Sequence, residues 1–283
     1  MTDDAYGATV AKRRLSRRLA ELRLNSGHTA NHVCDILNWG RGKVGRFEAN
    51  QWKRPEMSDI RDLLRIYGVD SATAEELEDL ALRSRTRPWW RDYTDIFENE
   101  FPGFENDAER IQVCMPLVVP GLLQTQDYAR AVIQQGSPGL DADEVERRVQ
   151  LRVGRQQLLS RPNPPRFWAI VDEAALRRPM GGRDVHVAQI ERLMDVIGEP
   201  NITLQVMPFK YGGHAAEGGP FMIMRFPETD LPDIVYMEYL TGAHYIDKEE
   251  EVERYAAVME RLSVAGTSPD RTREILAGML KEI

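Results

Sequence analysis

The hydrophobic pattern changes along the chain, and this change constrains the fold more than any other feature of the sequence. Near the N-terminus, Leu15, Leu19 and Leu22 recur at spacings of four and three residues, the periodicity of one apolar helix face. Further along, four short runs are rich in aromatic and β-branched residues, as buried strands are, and helical stretches lie between and after them. These runs span residues 166–171, 202–207, 220–226 and 234–239. The predicted fold class is α+β: an all-α N-terminal domain followed by a mixed α/β C-terminal domain with a helix-covered sheet.

The length of the chain also favours two domains. Its 283 residues exceed the roughly 100–200 residues of a typical single domain. The paired aromatic residues Trp89 and Trp90 suggest a packed hinge near the boundary. The predicted division is a helical domain over residues 8–87, a linker region over 88–110 and a mixed α/β domain over 111–283.

Charge is distributed unevenly between these parts. Residues 1–65 carry 13 Lys and Arg against 8 Asp and Glu, whereas the rest of the chain carries 24 against 37, and the net charge is −8. Neutralisation of phosphates supplies most non-specific affinity for DNA, so a basic segment on an acidic body is typical of a DNA-binding head on a regulatory domain. A solvated, Arg-rich helix face is the alternative, and charge alone does not choose between them.

The cysteine content and the N-terminus indicate the compartment. Cys34 and Cys114 are too few for a disulfide framework or a Cys-rich zinc site, and they fit a reducing environment. The first residues are acidic where a secretory signal would be basic, and no run approaches the ~18 apolar residues of a membrane span. We expect a cytoplasmic protein with no membrane segment.

The segment over residues 38–48 reads Asn-Trp-Gly-Arg-Gly-Lys-Val-Gly-Arg-Phe-Glu and follows a short helix that Thr29 can cap. This pattern resembles the Xre-type helix-turn-helix regulators, and the resemblance covers about residues 8–68. In such modules the second helix of the pair enters the major groove of operator DNA. The resemblance also implies a structural ion pair between Glu48 and an Arg near the end of the first helix, here Arg23.

The resemblance implies which side chains contact double-stranded DNA. Arg41 and Lys43 are candidates for reading base edges, since Arg and Lys fit the acceptors of guanine. The remaining candidates would contact phosphates. They are Arg46, Lys53, Arg54, Arg13, Arg14 and Arg17.

One departure from the Xre pattern concerns three glycines. Gly40, Gly42 and Gly45 stand where Ser is usual, and the two inside the predicted helix would each cost about 0.8–1.0 kcal/mol of helix stability relative to Ala. The recognition helix is then ordered only on DNA, or uses glycine to approach the DNA backbone closely, or binds DNA weakly. The sequence leaves all three possibilities open.

Four blocks outside the N-terminal module extend the resemblance to nearly the whole chain, at residues 119–130, 152–156, 172–178 and 206–209. They look like the signature blocks of the WhiJ-like regulators of actinobacteria. That resemblance implies a transcriptional regulator whose C-terminal domain has no established catalytic activity and works with a small partner protein encoded nearby.

Candidate sites in the C-terminal domain are few. Arg148, Arg152 and Arg155 lie on successive turns of one predicted helix, which is either a solvated face or a docking face for an acidic partner. On the glycine-rich segment 211–219, His214 and Glu217 are candidates for binding a small ligand. The alternative for this segment, which we favour, is a mobile hairpin loop between strands.

No catalytic site, cofactor site or metal site is predicted. His28 and His32 have a four-residue spacing but straddle a helix start, which favours a surface or capping role over zinc. The sequence therefore predicts a homodimeric, sequence-specific DNA-binding regulator whose C-terminal domain binds a small partner protein or ligand. An antitoxin-like or sequestering protein-interaction module with weakened DNA binding is the alternative, and an enzyme ranks last.

Overall fold

The computed structural model describes residues 8–52, 54–86, 89–93, 96, 100–216, 218–227 and 232–283. Two of the predicted site residues, Lys53 and Glu217, lie outside these ranges. The chain divides into two compact units, of which the first comprises residues 1–107 with 227–231 and the second comprises 108–226 with 232–283.

The regular elements in the described part of the first unit are all helices. Its helices are α1 (Ala8–Asn25), α2 (Ala30–Ile36), α3 (Lys43–Glu48), α4 (Met57–Tyr67), α5 (Ser71–Ser84) and α6 (Phe101–Asp107), with a short 3-10 turn over Trp89–Tyr93 before α6.

Local side-chain chemistry defines where these helices begin and end. The Thr29 hydroxyl accepts a hydrogen bond from the backbone N–H of His32 at 3.2 Å and so caps α2, as the sequence predicts. Asp70 caps α5 by accepting from the backbone N–H of Thr73 at 2.8 Å. Gly68 ends α4 in the left-handed conformation, with φ at 69°. Each of these residues satisfies backbone groups that a helix end leaves without an intrahelical partner.

The predicted apolar face of α1 lies in the core of this unit. Leu15 and Leu19 are fully buried, and Val44 and Phe47 of α3 join the same cluster. Burial of such side chains supplies most of the stability of a short helix such as α3, which is too short to be stable by itself. The core therefore fixes α3 against α1.

The second unit is built on a six-stranded sheet. Its elements in chain order are β1 (Arg110–Met115), α7 (Gln126–Gly136), α8 (Ala142–Gln156), β2 (Arg166–Asp172), α9 (Glu173–Arg177), α10 (Arg183–Val196), β3 (Ile202–Met207), β4 (Phe221–Arg225), β5 (Ile234–Tyr239), β6 (Gly242–Ile246), α11 (Glu249–Ala265) and α12 (Pro269–Glu282).

The strand order is β3-β2-β1-β4-β5-β6. Strands β1, β2 and β3 are parallel, whereas β4, β5 and β6 each pair antiparallel with the preceding strand in that order. Apolar residues of β1, β2, β4 and β5 pack with Val252, Met259 and Leu262 of α11 in one buried cluster. The α+β class and the helix-covered sheet are thus confirmed.

Two strands and one connection differ from the sequence prediction. β1 and β6 are additional strands, and the segment after β3 is not a hairpin loop. It crosses from one edge of the sheet to β4, past β2 and β1. The prediction of a hairpin was wrong because strand adjacency depends on pairing across the sheet, which the local sequence of a loop does not encode.

Candidate functional site

The turn between α2 and α3 has two residues in the left-handed region. Asn38 has φ at 51° and Gly42 has φ at 82°. The backbone N–H of Trp39 donates to the carbonyl of Cys34 at 2.8 Å, which closes the end of α2. Gly42 is the residue that precedes α3, and its conformation is one that side-chain-bearing residues rarely adopt.

The position of Gly42 corrects the expectation that two glycines weaken the recognition helix. Gly42 lies before α3, where glycine is favoured, and only Gly45 lies inside the helix. A Cβ added at Gly45 would meet no atom outside the local helix backbone within 4 Å, and a Cβ at Gly40 would also meet none. These two positions leave a bare surface on and beside α3.

Arg23 and Glu48 form the ion pair that the Xre resemblance implies. Nε and Nη2 of Arg23 donate to the two carboxylate oxygens of Glu48 at 2.6 and 3.0 Å, and Nη1 donates to the carbonyl of His28 at 2.8 Å. The two side chains are 13% and 14% exposed. The hydrogen bonds with Glu48 raise the pKa of Arg23 against the opposing effect of burial. The pair fixes the end of α1 to the end of α3.

Three of the predicted DNA-contacting side chains are exposed. Arg41 lies in the turn before α3, Arg46 on α3, and Arg54 after it. Within the described part of the chain, none of the three makes an ion pair or a side-chain hydrogen bond. The Arg46 guanidinium lies next to Gly42, because its Nη1 is 3.5 Å from where a Cβ on that glycine would be. These cations are available to an anionic ligand.

Lys43 is placed differently. Its Nζ lies 2.7 Å from Oδ2 of Asp59 on α4 and 3.9 Å from the centre of the Trp39 ring. The Lys43 side chain is 30% exposed and that of Asp59 is 16% exposed. A base edge would have to compete with both of these contacts, whereas Arg41 has no such competitor among the described residues.

The three predicted phosphate contacts on α1 are also in ion pairs. Arg13 pairs with Glu100 at 3.0 Å, Arg14 with Glu76 at 2.6 Å and Arg17 with Glu21 at 3.1 Å. The Arg17 pair joins exposed side chains one helical turn apart and is of the weak kind. The ion pairs of Arg13 and Arg14 join residues that are far apart in the sequence.

The predicted docking helix is α8, and its arginines serve different contacts. Arg148 pairs with Glu144 one turn earlier, at 3.2 Å. Arg152 donates from Nη1 to the side-chain oxygen of the buried Gln124 at 3.0 Å and packs against Gly121. Arg155 is half-buried on the same helix. Arg152 thus holds the turn over residues 121–124, an intramolecular role that a docking surface does not require.

His214 is tied to the carboxyl end of β2. The backbone N–H of Ala216 donates to Nδ1 of His214 at 3.3 Å, which leaves the proton on Nε2, and Nε2 lies 3.1 Å from Oδ2 of Asp172. Both ring nitrogens therefore have partners inside the fold. The neighbouring Glu173 accepts from the backbone N–H of Phe209 at 2.9 Å, so two adjacent carboxylates hold the segment after β3.

Two carboxylates that form ion pairs with predicted DNA-contacting side chains are absent from the sequence prediction. Asp59 pairs with Lys43, and Glu100 pairs with Arg13. Neither lies near its partner in the sequence or in a recognisable motif, so no sequence signal identifies them.

The described residues contain neither a cluster suited to a metal ion nor a helix suited to spanning a membrane. No group of three or more His, Cys, Asp and Glu side chains there is arranged to hold a metal ion. No helix in the same ranges is both long enough and apolar enough to cross a bilayer.

Comparison with known proteins defines the class. A family model described as a helix-turn-helix domain matches residues 14–77, which include α2, α3 and the exposed arginines Arg41, Arg46 and Arg54. This match points to a DNA-binding regulator. A second family model, described as a domain of unknown function (DUF5753), matches residues 99–278, and the chain belongs to this family. No curated protein and no solved structure matches the chain.

Proposed function

We propose that this protein is a sequence-specific transcriptional regulator in which α3 enters the major groove of operator DNA. The observation that carries the proposal is that Arg41 and Arg46 are exposed, pair with no other described residue, and directly follow Gly40 and Gly45 in the sequence. Without side chains at the two glycines, the DNA backbone or a base edge can approach the helix closely. Arg41 then reads a base edge and Arg46 contacts phosphate.

The Arg23–Glu48 pair supports this proposal because it holds α3 in a fixed orientation on α1. A helix that reads base edges has to be positioned before it binds, since each immobilised side chain or segment adds to the entropic cost of association. Arg54, together with the predicted contact at Lys53, would extend the basic surface past the end of α3.

The experiment is a fluorescence-anisotropy titration of the full chain against duplex fragments from its own locus, at several salt concentrations. We expect binding that weakens steeply with salt, and an Arg41→Ala variant with lower affinity and less discrimination between sequences. Arg46→Ala should weaken binding to all sequences about equally and reduce the salt slope by about one. Arg271→Ala, on α12 of the second unit, is the control of equal charge change. Binding that is indifferent to both Arg41 and Arg46 would contradict the proposal.

We further propose that the regulator acts as a homodimer and that its C-terminal domain binds a small acidic partner protein or a ligand, which changes operator affinity. Two half-sites supply a specificity that one small module lacks. For a partner, Arg148 and Arg155 of α8 are the candidate contacts. Since Arg152 holds an internal turn, its substitution would not report on docking alone.

A second candidate function is a protein-interaction module with weakened DNA binding. The observation in its favour is that Lys43, Arg13, Arg14 and Arg17 are all engaged by carboxylates of the same unit. Restoring serine at Gly40 and Gly45, where an added Cβ meets open space, separates the two functions. If α3 has lost DNA binding, the double variant should bind DNA more tightly than the wild type. If α3 already reads DNA, the double variant should perturb the existing binding.

A further inference from the structure

The segment over residues 100–107 belongs to the first unit, which carries the proposed DNA-binding surface and is called the DNA-binding unit below. It contains α6, whose Phe101 and Phe104 are buried. A Cβ placed on Gly103 would lie 2.0 Å from Oγ1 of Thr9, so the backbone of α6 at Gly103 packs directly against the Thr9 side chain of α1. The family match for the domain of unknown function begins at residue 99 and therefore includes this helix.

Asp107, the last residue of α6, caps α1. Its Oδ2 accepts hydrogen bonds from the backbone N–H groups of Thr9 and Val10 at 3.0 and 2.9 Å. These are two of the four N–H groups that the first turn of a helix leaves without an intrahelical partner, and a carboxylate there also interacts favourably with the helix dipole. The far end of α6 is thereby fixed to the N-terminus of α1.

Glu100, just before α6, reaches two groups of the DNA-binding module. Its Oε2 accepts from Nε of Arg13 at 3.0 Å, and its Oε1 accepts from Nδ2 of Asn50 at 3.1 Å. The Arg13 guanidinium carbon also lies 4.5 Å from the centre of the Phe104 ring. Asn50 is two residues past the end of α3, so one carboxylate bridges α1 and the segment that follows the recognition helix.

We infer that Glu100 competes with DNA phosphate for Arg13 and thereby limits the affinity of the DNA-binding unit. The inference rests on the proposed function and on the expectation from the Xre resemblance that Arg13 contacts a phosphate. Carboxylate and phosphate are both anionic acceptors suited to a guanidinium group. Glu100 already holds Nε of Arg13 and offsets its positive charge, so a phosphate is attracted less strongly to the same guanidinium. Because Asp107 and the buried phenylalanines hold α6 on α1, Glu100 is present at a high local concentration.

The variant Glu100→Gln isolates this effect. Gln keeps an oxygen that can accept from Asn50 but loses the charge that pairs with Arg13. We expect the slope of log Kobs against log salt concentration to steepen by about 0.9 for one additional phosphate, with affinity about five- to tenfold higher at ~0.1 M salt. Glu274→Gln on α12 is the control with the same change in net charge and should leave both quantities unchanged. In an Arg13→Ala background, Glu100→Gln should have no effect.

The single variant Arg13→Ala tests the inference without altering Glu100. If Glu100 already holds Arg13, its loss should change wild-type affinity by less than about twofold, since a phosphate contact that is not made contributes nothing. A large loss would show that Arg13 contacts DNA despite Glu100 and would overturn the inference. Equal or weaker binding by a folded Glu100→Gln variant would also overturn it.

The same titration separates this inference from the proposed function. If wild-type binding depends on Arg41 and Arg46 but Glu100→Gln leaves binding unchanged, the proposed function stands and only the inference about Glu100 is contradicted. If no duplex is bound at low salt, the proposed function fails and the inference fails with it.

Discussion

Glu48 at the end of α3 receives two parallel hydrogen bonds from Arg23, a residue 25 positions earlier near the end of α1. Both side chains are largely buried, and the third contact of Arg23, to the carbonyl of His28, extends the connection to the turn before α2. One side chain therefore links α1, the turn before α2 and the end of α3.

Replacing Glu48 with Gln should destabilise the first unit. The change leaves the largely buried Arg23 without its counter-ion, and loss of hydrogen bonds to a charged group costs about 1.5–3 kcal/mol. Native-state hydrogen exchange of amides in α1 and α3 measures this as a lower free energy of opening. The matched control is Glu78→Gln, which breaks the more exposed pair with Arg61 and should have no measurable effect. Unchanged protection in the Glu48→Gln variant would show that the pair is not structural.

Substitutions at two neighbouring glycines should have opposite effects. Gly45→Ala should stabilise α3 by about 0.8–1.0 kcal/mol, because the position is helical and a methyl group meets nothing within 4 Å. Gly42→Ala should destabilise the unit by about 1–2 kcal/mol, since its φ of 82° is unfavourable for a residue with a Cβ. The same exchange experiment measures both changes. Equal effects of the two substitutions would contradict this assignment of the helix start.

The thiol of Cys114 should be unreactive in the folded protein. Burial, reinforced by the nearby carboxylate of Asp172, raises the pKa of Cys114 to about 12. The folded state then keeps this proton at a pH where the unfolded chain releases it. The resulting contribution to stability is complete below about pH 9 and is lost as the pH rises from about 9 towards 12.

Alkylation by iodoacetamide between about pH 7 and 10 checks this in a Cys34→Ala background, which leaves one thiol. We expect slow labelling of the native protein throughout this range and fast labelling, rising with pH, in concentrated urea. Labelling of the native protein at the rate found in urea would contradict a buried thiol.

Arg152→Ala should loosen the turn over residues 121–124. Arg152 donates to Gln124, whose own side-chain N–H group donates to the carbonyl of Val119 at 2.7 Å. Loss of the first bond leaves a buried amide oxygen unsatisfied, at a cost of about 1–3 kcal/mol. Hydrogen-exchange mass spectrometry should show faster exchange in peptides that cover this turn. Arg148→Ala on the same helix, which breaks only a pair with Glu144, should not. Identical exchange rates in the two variants would show that Arg152 does not stabilise this turn.

The strands that the sequence predicts most clearly are those with the strongest local pattern. β3 and β5 span the predicted residues 202–207 and 234–239, because a dense run of apolar and β-branched residues has few stable alternatives to a buried strand. β1 and β6 carry Arg, Gln, Gly and His among their apolar residues, so their local signal is weak. They become strands because neighbouring strands offer backbone partners.

At the candidate site, too, the sequence predicts local features but not contacts between distant residues. The exposed arginines Arg41 and Arg46 lie in or beside a motif that is readable from the sequence, and so does the Arg23–Glu48 pair. The engagement of Lys43 by Asp59 and of Arg13 by Glu100 involves residues 16 and 87 positions apart. Such pairs form only after helices have packed, and spacing along the chain does not indicate them.

By itself, the sequence determined the α+β class, the helix-turn-helix module, the main strands and the basic character of the N-terminal part. Periodicity, capping residues and local charge encode these features, and each acts over a few neighbouring residues. Only the tertiary structure decided the strand order, the left-handed start of α3 at Gly42 and which arginines form ion pairs with other described residues. These depend on contacts between distant parts of the chain, since ion pairing and strand pairing follow distances in space.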